Sequence, residues 1–216
     1  NDRLPPEPGD FTRSDDEEFI GKFWAYDATP SLCAPPRLYN MIATSIANHE
    51  KSASFKNGLE LARFLAILNV AMADAGIAAW EGKYTFLYPR PVTYIRRTAA
   101  LGVEANPVPN PKWAPLGAPV TNSLPTNVNF TPPFPSYPSG HAVFGGSIFQ
   151  IFRKIFGSDD KFTFISDEFN GYNHDSNSNQ NRPRTPREFD SFTTAEAENG
   201  RSRVYLGIHW QFDATD

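Results

Sequence analysis

The sequence predicts an all-α fold, a helical bundle interrupted by long proline-rich loops. Apolar residues recur at three- and four-residue steps over 140–156, and residues 59–80 are apolar on nearly every helical face. Residues 105–138 hold half of the prolines, which predicts an extended connection of the kind that often covers a site. No alternation of apolar and polar residues is strong enough to predict a sheet. The 216 residues can bury a core of substantial size.

The N-terminal part predicts a loose segment and then helices. Residues 1–18 combine prolines with an acidic run, which favours little intrinsic order. The site-bearing bundle is expected over residues 19–216. A short amphipathic helix is expected from Arg37 to about His49. The helix over 59–80 contains four polar or charged residues, so it is interpreted as the buried central helix of the bundle and not as a membrane span.

The C-terminal part predicts two more helices. Ser139 is a natural N-cap for the helix that follows Pro138. Residues 157–190 are polar and predict a loop, and a helix is expected from Ser191 to Tyr205. The chain ends inside what looks like a further helix, so it is expected to be a piece of a longer protein.

Composition excludes several classes of protein. The net charge of −4 argues against general nucleic-acid binding, which needs a basic excess. The single Cys33 excludes an intrachain disulfide framework and a zinc site of several cysteines. The polar, proline-rich start shows no signal peptide.

Three separated segments carry residues suited to binding an oxyanion. Their cations can neutralise a multiply charged anion, and guanidinium groups do so with paired hydrogen bonds. One histidine can attack or coordinate the central atom while the other moves protons. The segments are Lys83 to Arg90, Pro138 to His141, and Ser202-Arg203 with His209 and Asp213.

The helix that begins near Ser139 adds backbone donors to this set. The N–H groups of Ser139, Gly140 and His141 have no acceptor within the helix and lie at the positive end of its dipole. Gly140 lets the backbone approach a ligand closely. Taken alone, the same residues also fit an ordinary capped helix with a surface histidine.

The pattern Lys-x6-Arg-Pro, Pro-Ser-Gly-His and Ser-Arg-x5-His-x3-Asp resembles the superfamily of vanadium-dependent haloperoxidases, type 2 phosphatidic acid phosphatases and bacterial class A acid phosphatases. The stretches 23–27, 35–40, 73–77, 134–146 and 206–213 look most like the fungal vanadium chloroperoxidase type. The similarity runs from about residue 20 to the end. It implies the C-terminal helical bundle of that family.

The resemblance implies a role for each site residue. His209 would be the axial ligand of vanadium in a bound vanadate, a site that phosphate can also occupy. His141 would act as acid and base, and Asp27 would pair with Arg203. Asp213 would orient His209 or cap a helix. The vanadate oxygens would be held by Lys83, Arg90, Ser139, Gly140 and Arg203, and the halide pocket would be lined by Trp80 and Phe134.

The activity implied is oxidation of chloride or bromide by hydrogen peroxide to hypohalous acid, with Lys83 polarising the bound peroxide. Whether an organic substrate is also used stays open. The alternative is an acid phosphatase that forms a phosphohistidine at His209, and a third reading is a non-catalytic oxyanion-binding domain. Trp80 and Phe134 favour halide oxidation. The resemblance further implies a secreted or periplasmic location and a further chain or segment that completes the fold.

Overall fold

The computed structural model describes residues 13–27, 34–49, 51–102, 109–119, 130–175 and 180–215. Within these ranges the chain forms helices α1 to α7 and two small antiparallel sheets. The helices are Asp15–Phe23 (α1), Pro35–Asn48 (α2), Gly58–Phe86 (α3), Pro91–Ala100 (α4), Gly140–Phe156 (α5), Phe192–Tyr205 (α6) and Phe212–Thr215 (α7), with 3₁₀ turns at Ser52–Ser54 and Asp167–Phe169. The predicted helical bundle is confirmed.

Helix α1 begins inside the segment that was expected to be loosely ordered. Ser14 caps it with a capping box, since its hydroxyl accepts from the Glu17 N–H and the Glu17 carboxylate accepts from the Ser14 N–H. Four acidic residues occupy the first turn, where the helix dipole favours negative charge. The expectation is therefore wrong from Asp15 onward, and residues 1–12 lie outside the described part of the chain.

Helix α2 starts two residues before the expected position. Pro35 and Pro36 occupy its first turn, where a missing N–H breaks no helical hydrogen bond. Leu38, Ile42 and Ile46 form its buried stripe.

Helix α3 is the longest element, and it is not buried on every face as the sequence suggested. Phe64, Leu68 and Met72 face the bundle, and α3 packs against α2 and α5. On the other side Val70 and Ile77 are 62% and 69% exposed. The stretch Gly58–Ala100 is long and apolar enough to cross a membrane by length and composition alone. The expectation that it does not span one stays a prediction.

Helix α5 lies at the centre of the bundle and contacts α2, α3 and α6. Its apolar face enters an aromatic core, in which phenylalanine rings from distant parts of the chain lie 5.0–6.2 Å apart, centroid to centroid. Such pairs add directional ring contacts to the burial of apolar area. The rings are those of Phe149, Phe152, Phe162, Phe189 and Phe192.

Residues 157–190 contain short strands, so the expectation of a loop without strands is wrong. Strand β1 (Phe162–Phe164) pairs with β4 (Arg187–Phe189), with Phe162 opposite Phe189. Strand β2 (His174–Asp175) pairs with β3 (Gln180–Asn181). Strands of two or three residues are too short to show a period of two, which is why the sequence did not reveal them.

Gly145 offers a direct test of the packing between α5 and α6. A methyl group there would overlap the side-chain amide of Asn199, whereas one at Gly146 would lie 3.4 Å from the Glu196 carboxylate. Gly145→Ala should lower the free energy of unfolding by about 1–3 kcal/mol through overpacking. Gly146→Ala should be neutral or stabilise by up to about 1 kcal/mol through helix propensity. Urea unfolding of both variants measures this, and equal stabilities would contradict the contact.

Candidate active site

The three segments that the sequence singled out converge at one end of the bundle. Lys83 comes from the last turn of α3, Arg90 caps α4, and His141 lies in the first turn of α5. Arg203 comes from the end of α6, and His209 follows in the next turn. All five side chains are at most 6% exposed. The structure therefore brings these five predicted site residues together; that they bind an oxyanion stays a prediction.

Lys83 is held by three backbone carbonyls. Its Nζ donates to the carbonyls of Pro135 and Ser136 at 2.9 Å and of Pro138 at 2.5 Å. Burial and, next, the Arg90 guanidinium lower the pKa of Lys83 to about 7. The charge of this lysine therefore changes near neutral pH.

Arg90 connects the loop before α5 to the segment after α6. Its Nε donates to the Phe134 carbonyl, and its Nη1 donates to the Ile208 carbonyl and to His209 Nε2, each at 2.9 Å. Its Nη2 is buried without a hydrogen-bond partner among the described residues. Burial and the nearby Arg203 lower the pKa of Arg90 to about 10, which leaves it charged at neutral pH.

Arg203 forms a buried ion pair with Asp27, as expected from the sequence. Only its Nη2 takes part. Nε and Nη1 of Arg203 are buried, and neither has a hydrogen-bond partner in the described ranges. Arg90 and Arg203 together thus supply three buried N–H-bearing nitrogens that lack an acceptor.

The hydrogen bonds around His209 fix its tautomer. Nδ1 lies 2.7 Å from Asp213 Oδ2, and Nε2 lies 2.9 Å from Arg90 Nη1. Because a guanidinium only donates, Nε2 must accept, and the ring proton resides on Nδ1. Burial and the cations Arg90, Lys83 and Arg203 hold the pKa of His209 well below its usual range. His209 is therefore neutral, with a lone pair on Nε2.

Asp213 orients His209, which decides between the two roles that the sequence left open. Its Oδ2 also accepts from the Trp210 N–H at 3.0 Å and from the Ser136 hydroxyl. Burial raises the pKa of Asp213, against the effect of these hydrogen bonds.

His141 is also neutral but has the opposite tautomer. Its Nε2 lies 3.1 Å from the Trp24 carbonyl, which can only accept, so Nε2 carries the proton and Nδ1 is the basic nitrogen. Burial and the Arg203 charge lower the pKa of His141 well below its usual range. Tyr39 and Asn199 both donate to the backbone carbonyl of His141 at 2.8 Å.

Ser139 caps α5 as expected, since its hydroxyl accepts from the Ala142 N–H at 3.4 Å. Its own N–H donates to the Asp213 carbonyl at 2.8 Å, so the expectation that this N–H faces a ligand is wrong. Gly140 is the first residue of the helix, and a methyl group there would lie 3.4 Å from the Trp80 ring.

Trp80 and Phe134 form an aromatic wall beside the cations. Their ring centroids are 5.1 Å apart, and Lys83 Nζ lies 5.7 Å and 5.3 Å from them. The Arg90 guanidinium lies 5.0 Å from the Phe134 ring. The wall keeps this side of the site apolar while the ring faces interact with the cations.

Sequence reasoning missed Ser136, Tyr39 and Asn199. Ser136 is two residues from Phe134 in a segment that was already of interest, so its position was a usable signal. Tyr39 and Asn199 act on a backbone carbonyl, and nothing in the sequence marks such a contact.

The donor set fits an oxyanion and does not fit a bare metal cation. Three buried cations face two buried carboxylates, and the histidines are neutral, so the site carries a net positive charge. Within the described ranges no group of three histidine, cysteine, aspartate or glutamate side chains could hold a metal ion. The unpartnered guanidinium nitrogens and the Nε2 lone pair suit a tetrahedral or trigonal oxyanion such as vanadate or phosphate.

Comparison with known proteins identifies the family. Residues 63–216 match the family model of the VCPO second helical-bundle domain. The chain belongs to this family. The resemblance to vanadium-dependent haloperoxidases noted from the motifs is thereby confirmed.

Individual relatives agree with this assignment. The vanadium chloroperoxidase of Curvularia inaequalis is 37% identical over 226 residues, covering 90% of this chain and 36% of that protein. The crystal structure of a bacterial vanadium-dependent iodoperoxidase is 28% identical with a TM-score of 0.65, covering 94% of this chain and 40% of that one. A bacterial vanadium-dependent chloroperoxidase in holo form, at 18% identity and a TM-score of 0.66, shares the fold over 96% of this chain and 42% of its own. The chain thus spans well under half of each relative.

The pKa of Lys83 predicts how oxyanion binding depends on pH. Below about pH 7 the Lys83 ammonium is charged. Above that pH the free protein loses this charge, whereas a bound dianion keeps Lys83 protonated. The association constant of tungstate, whose own charge does not change across neutral pH, should fall with rising pH by up to about tenfold per unit above the pKa. Isothermal titration calorimetry measures this.

Lys83→Met is the matched control, because it keeps the length of the side chain without a titrating group. The affinity of this variant for tungstate should be lower than that of the wild type and should not fall with rising pH. A wild-type affinity that is constant across neutral pH would show that Lys83 keeps its charge.

Proposed function

We propose that the protein is a vanadate-dependent haloperoxidase, which oxidises chloride or bromide with hydrogen peroxide to hypohalous acid. The observation that supports this most is the set of unpartnered guanidinium nitrogens on Arg90 and Arg203 beside the Nε2 lone pair of His209. The family and the named haloperoxidase relatives support the same activity.

One group of residues in this chain would bind the cofactor, and His141 would transfer protons. His209 Nε2 would coordinate vanadium, and the oxygens would be bound by Lys83, Arg90, Arg203, Ser139 and Gly140. When bound, vanadate supplies Lewis-acid activation of peroxide without a change in its own redox state. His141 Nδ1 would take up and return a proton.

Lys83 supplies positive charge where the reaction needs it. Its ammonium would place positive charge beside the oxygens of a bound oxyanion, and the adjacent rings of Trp80 and Phe134 would exclude water on that side. A charge next to an apolar wall acts in a low local dielectric, so its effect on the reacting oxygen is strong.

Phosphate-ester hydrolysis is the second candidate, because the same cradle fits a phosphoryl group. In that reaction His209 Nε2 would attack phosphorus, and His141 would protonate the leaving alkoxide. The neutral Nδ1–H tautomer of His209 suits a nucleophile as well as a ligand. The aromatic wall and the haloperoxidase relatives favour halide oxidation over this candidate.

A non-catalytic oxyanion-binding domain is the third candidate function. The complete set of site residues disfavours it.

Lys83→Ala should abolish vanadate-dependent halogenation of monochlorodimedone by peroxide and halide, with the protein still folded by circular dichroism. The physical reason is the loss of the charge that polarises the peroxide. Assays with and without orthovanadate, in chloride and in bromide, measure the effect.

Three results would contradict parts of this proposal. Full halogenation by Lys83→Ala would exclude the role of the lysine. Wild-type protein that never halogenates but cleaves p-nitrophenyl phosphate, with inhibition by vanadate, would favour the phosphatase. Wild-type protein that binds vanadate without either turnover would favour the non-catalytic domain.

We further propose that another segment or chain covers the outer face of α3. This face exposes Val70, Ile77 and Leu59, a larger apolar surface than a helix normally presents to water. The relatives are more than twice as long as this chain, and the matched family is named as a second helical bundle. Both facts support a further part that packs here.

In the longest available form of the protein, Ile77→Lys should lower the melting temperature by several degrees. The reason is that burial of a charge in an apolar interface costs about 1–3 kcal/mol or more. Asp74→Lys is the control, because Asp74 is an exposed polar residue of the same helix. Differential scanning calorimetry compares the two, and equal melting temperatures would show that this face stays in solvent.

A further inference from the structure

Ser136 contacts two of the three segments of the site and lies two residues before the other, although it is not one of the predicted functional residues. It is fully buried. Its hydroxyl donates to Asp213 Oδ2 and lies 3.4 Å from His209 Nδ1. Its carbonyl accepts from Lys83 Nζ at 2.9 Å, and its N–H donates to the Tyr88 carbonyl at 2.8 Å.

The hydroxyl of Ser136 determines how the Asp213 carboxylate is oriented. Oδ2 accepts from the Ser136 hydroxyl, from His209 Nδ1–H and from the Trp210 N–H. Oδ1 is buried and accepts from no described residue. All donors therefore converge on the one oxygen that faces the imidazole, and the serine is the only side-chain hydroxyl among them.

We propose that Ser136 is a positioning residue that locks the orientation of Asp213 and thereby holds the ring of His209 in place beside a bound oxyanion. This rests on the proposed binding of vanadate at His209. Outer hydrogen bonds of this kind set the orientation and basicity of a ligating histidine. Without the hydroxyl, the Asp213 carboxylate can rotate between its two oxygens, and His209 Nδ1–H loses its fixed acceptor, although Arg90 Nη1 still keeps the ring proton on Nδ1.

Ser136→Ala isolates the hydroxyl from the rest of the residue. The two backbone contacts, to Lys83 and to Tyr88, do not depend on the side chain and persist in the variant. If the serine were merely structural, removal of its hydroxyl would change the stability of the protein. It would leave the nitrogen-15 signals of the His209 ring unchanged.

The test is nitrogen-15 NMR of histidine-labelled protein without added anion, combined with calorimetric titration of orthovanadate. The His209→Gln spectrum assigns the His209 signals. The wild type should show a sharp Nδ1–H signal for His209, and Ser136→Ala should show a shifted and broadened signal together with about tenfold weaker vanadate binding. Ser166→Ala is the matched control, because Ser166 is equally buried and its hydroxyl accepts from the Glu168 N–H at 3.3 Å, away from the site. It should match the wild type in both measurements.

Each outcome has a defined meaning. An unchanged His209 spectrum and a vanadate affinity within twofold of the wild type in Ser136→Ala would overturn the proposal. If Ser136→Ala does not fold, Ser136→Cys gives the same comparison, since a thiol keeps the volume but donates weakly. If the wild type has the Nδ1–H signal but binds no vanadate, the proposed function fails, while the change of the His209 signal in Ser136→Ala still decides the role of the serine.

Discussion

The excess of buried positive charge is the constraint on which the rest of the structure depends. Burial of Lys83, Arg90 and Arg203 beside only two carboxylates is costly unless hydrogen-bond acceptors surround them. For Lys83, the loop before α5 provides three acceptors as backbone carbonyls, two of them from prolines. Proline has a carbonyl but no N–H, so such a loop can turn acceptors inward without burying an equal number of donors. The high proline content of this stretch thereby has a physical reason that goes beyond breaking a helix.

Packing of the helices in the core fixes the position of His141 in the site. Helix α5 is anchored in the phenylalanine core by Phe149 and Phe152, and its first turn carries His141. Tyr39 from α2 and Asn199 from α6 bind the carbonyl of that histidine, so three helices fix one backbone group. The position of His141 therefore depends on packing throughout the bundle, and not only on its immediate neighbours.

The sequence predicted the chemistry of the site better than its geometry. Charged and titratable residues at fixed spacing revealed Lys83, Arg90 and His209, because few other residue types can neutralise or ligate an oxyanion. The same pattern could not show that the Ser139 N–H is used by the Asp213 carbonyl, since that bond depends on a segment more than 70 residues away. Helix α1 was missed because an acidic run fits both disorder and the first turn of a capped helix. The exposed face of α3 was expected to be buried because apolar composition does not show whether this chain or another segment covers a helix face.

The two histidines present opposite nitrogens to the same site, and the acceptor behind each one explains the difference. His209 donates a hydrogen bond from Nδ1–H to a carboxylate, which increases the electron density on Nε2 and suits it to act as a ligand or nucleophile. His141 has only the neutral Trp24 carbonyl behind it, so its Nδ1 is the weaker base and releases a proton more readily. The surrounding cations keep both rings neutral before an anion enters. Under the proposed function, a bound oxyanion would offset that positive charge and raise the pKa of His141 toward its usual range. Proton uptake by His141 would then depend on occupancy of the oxyanion site.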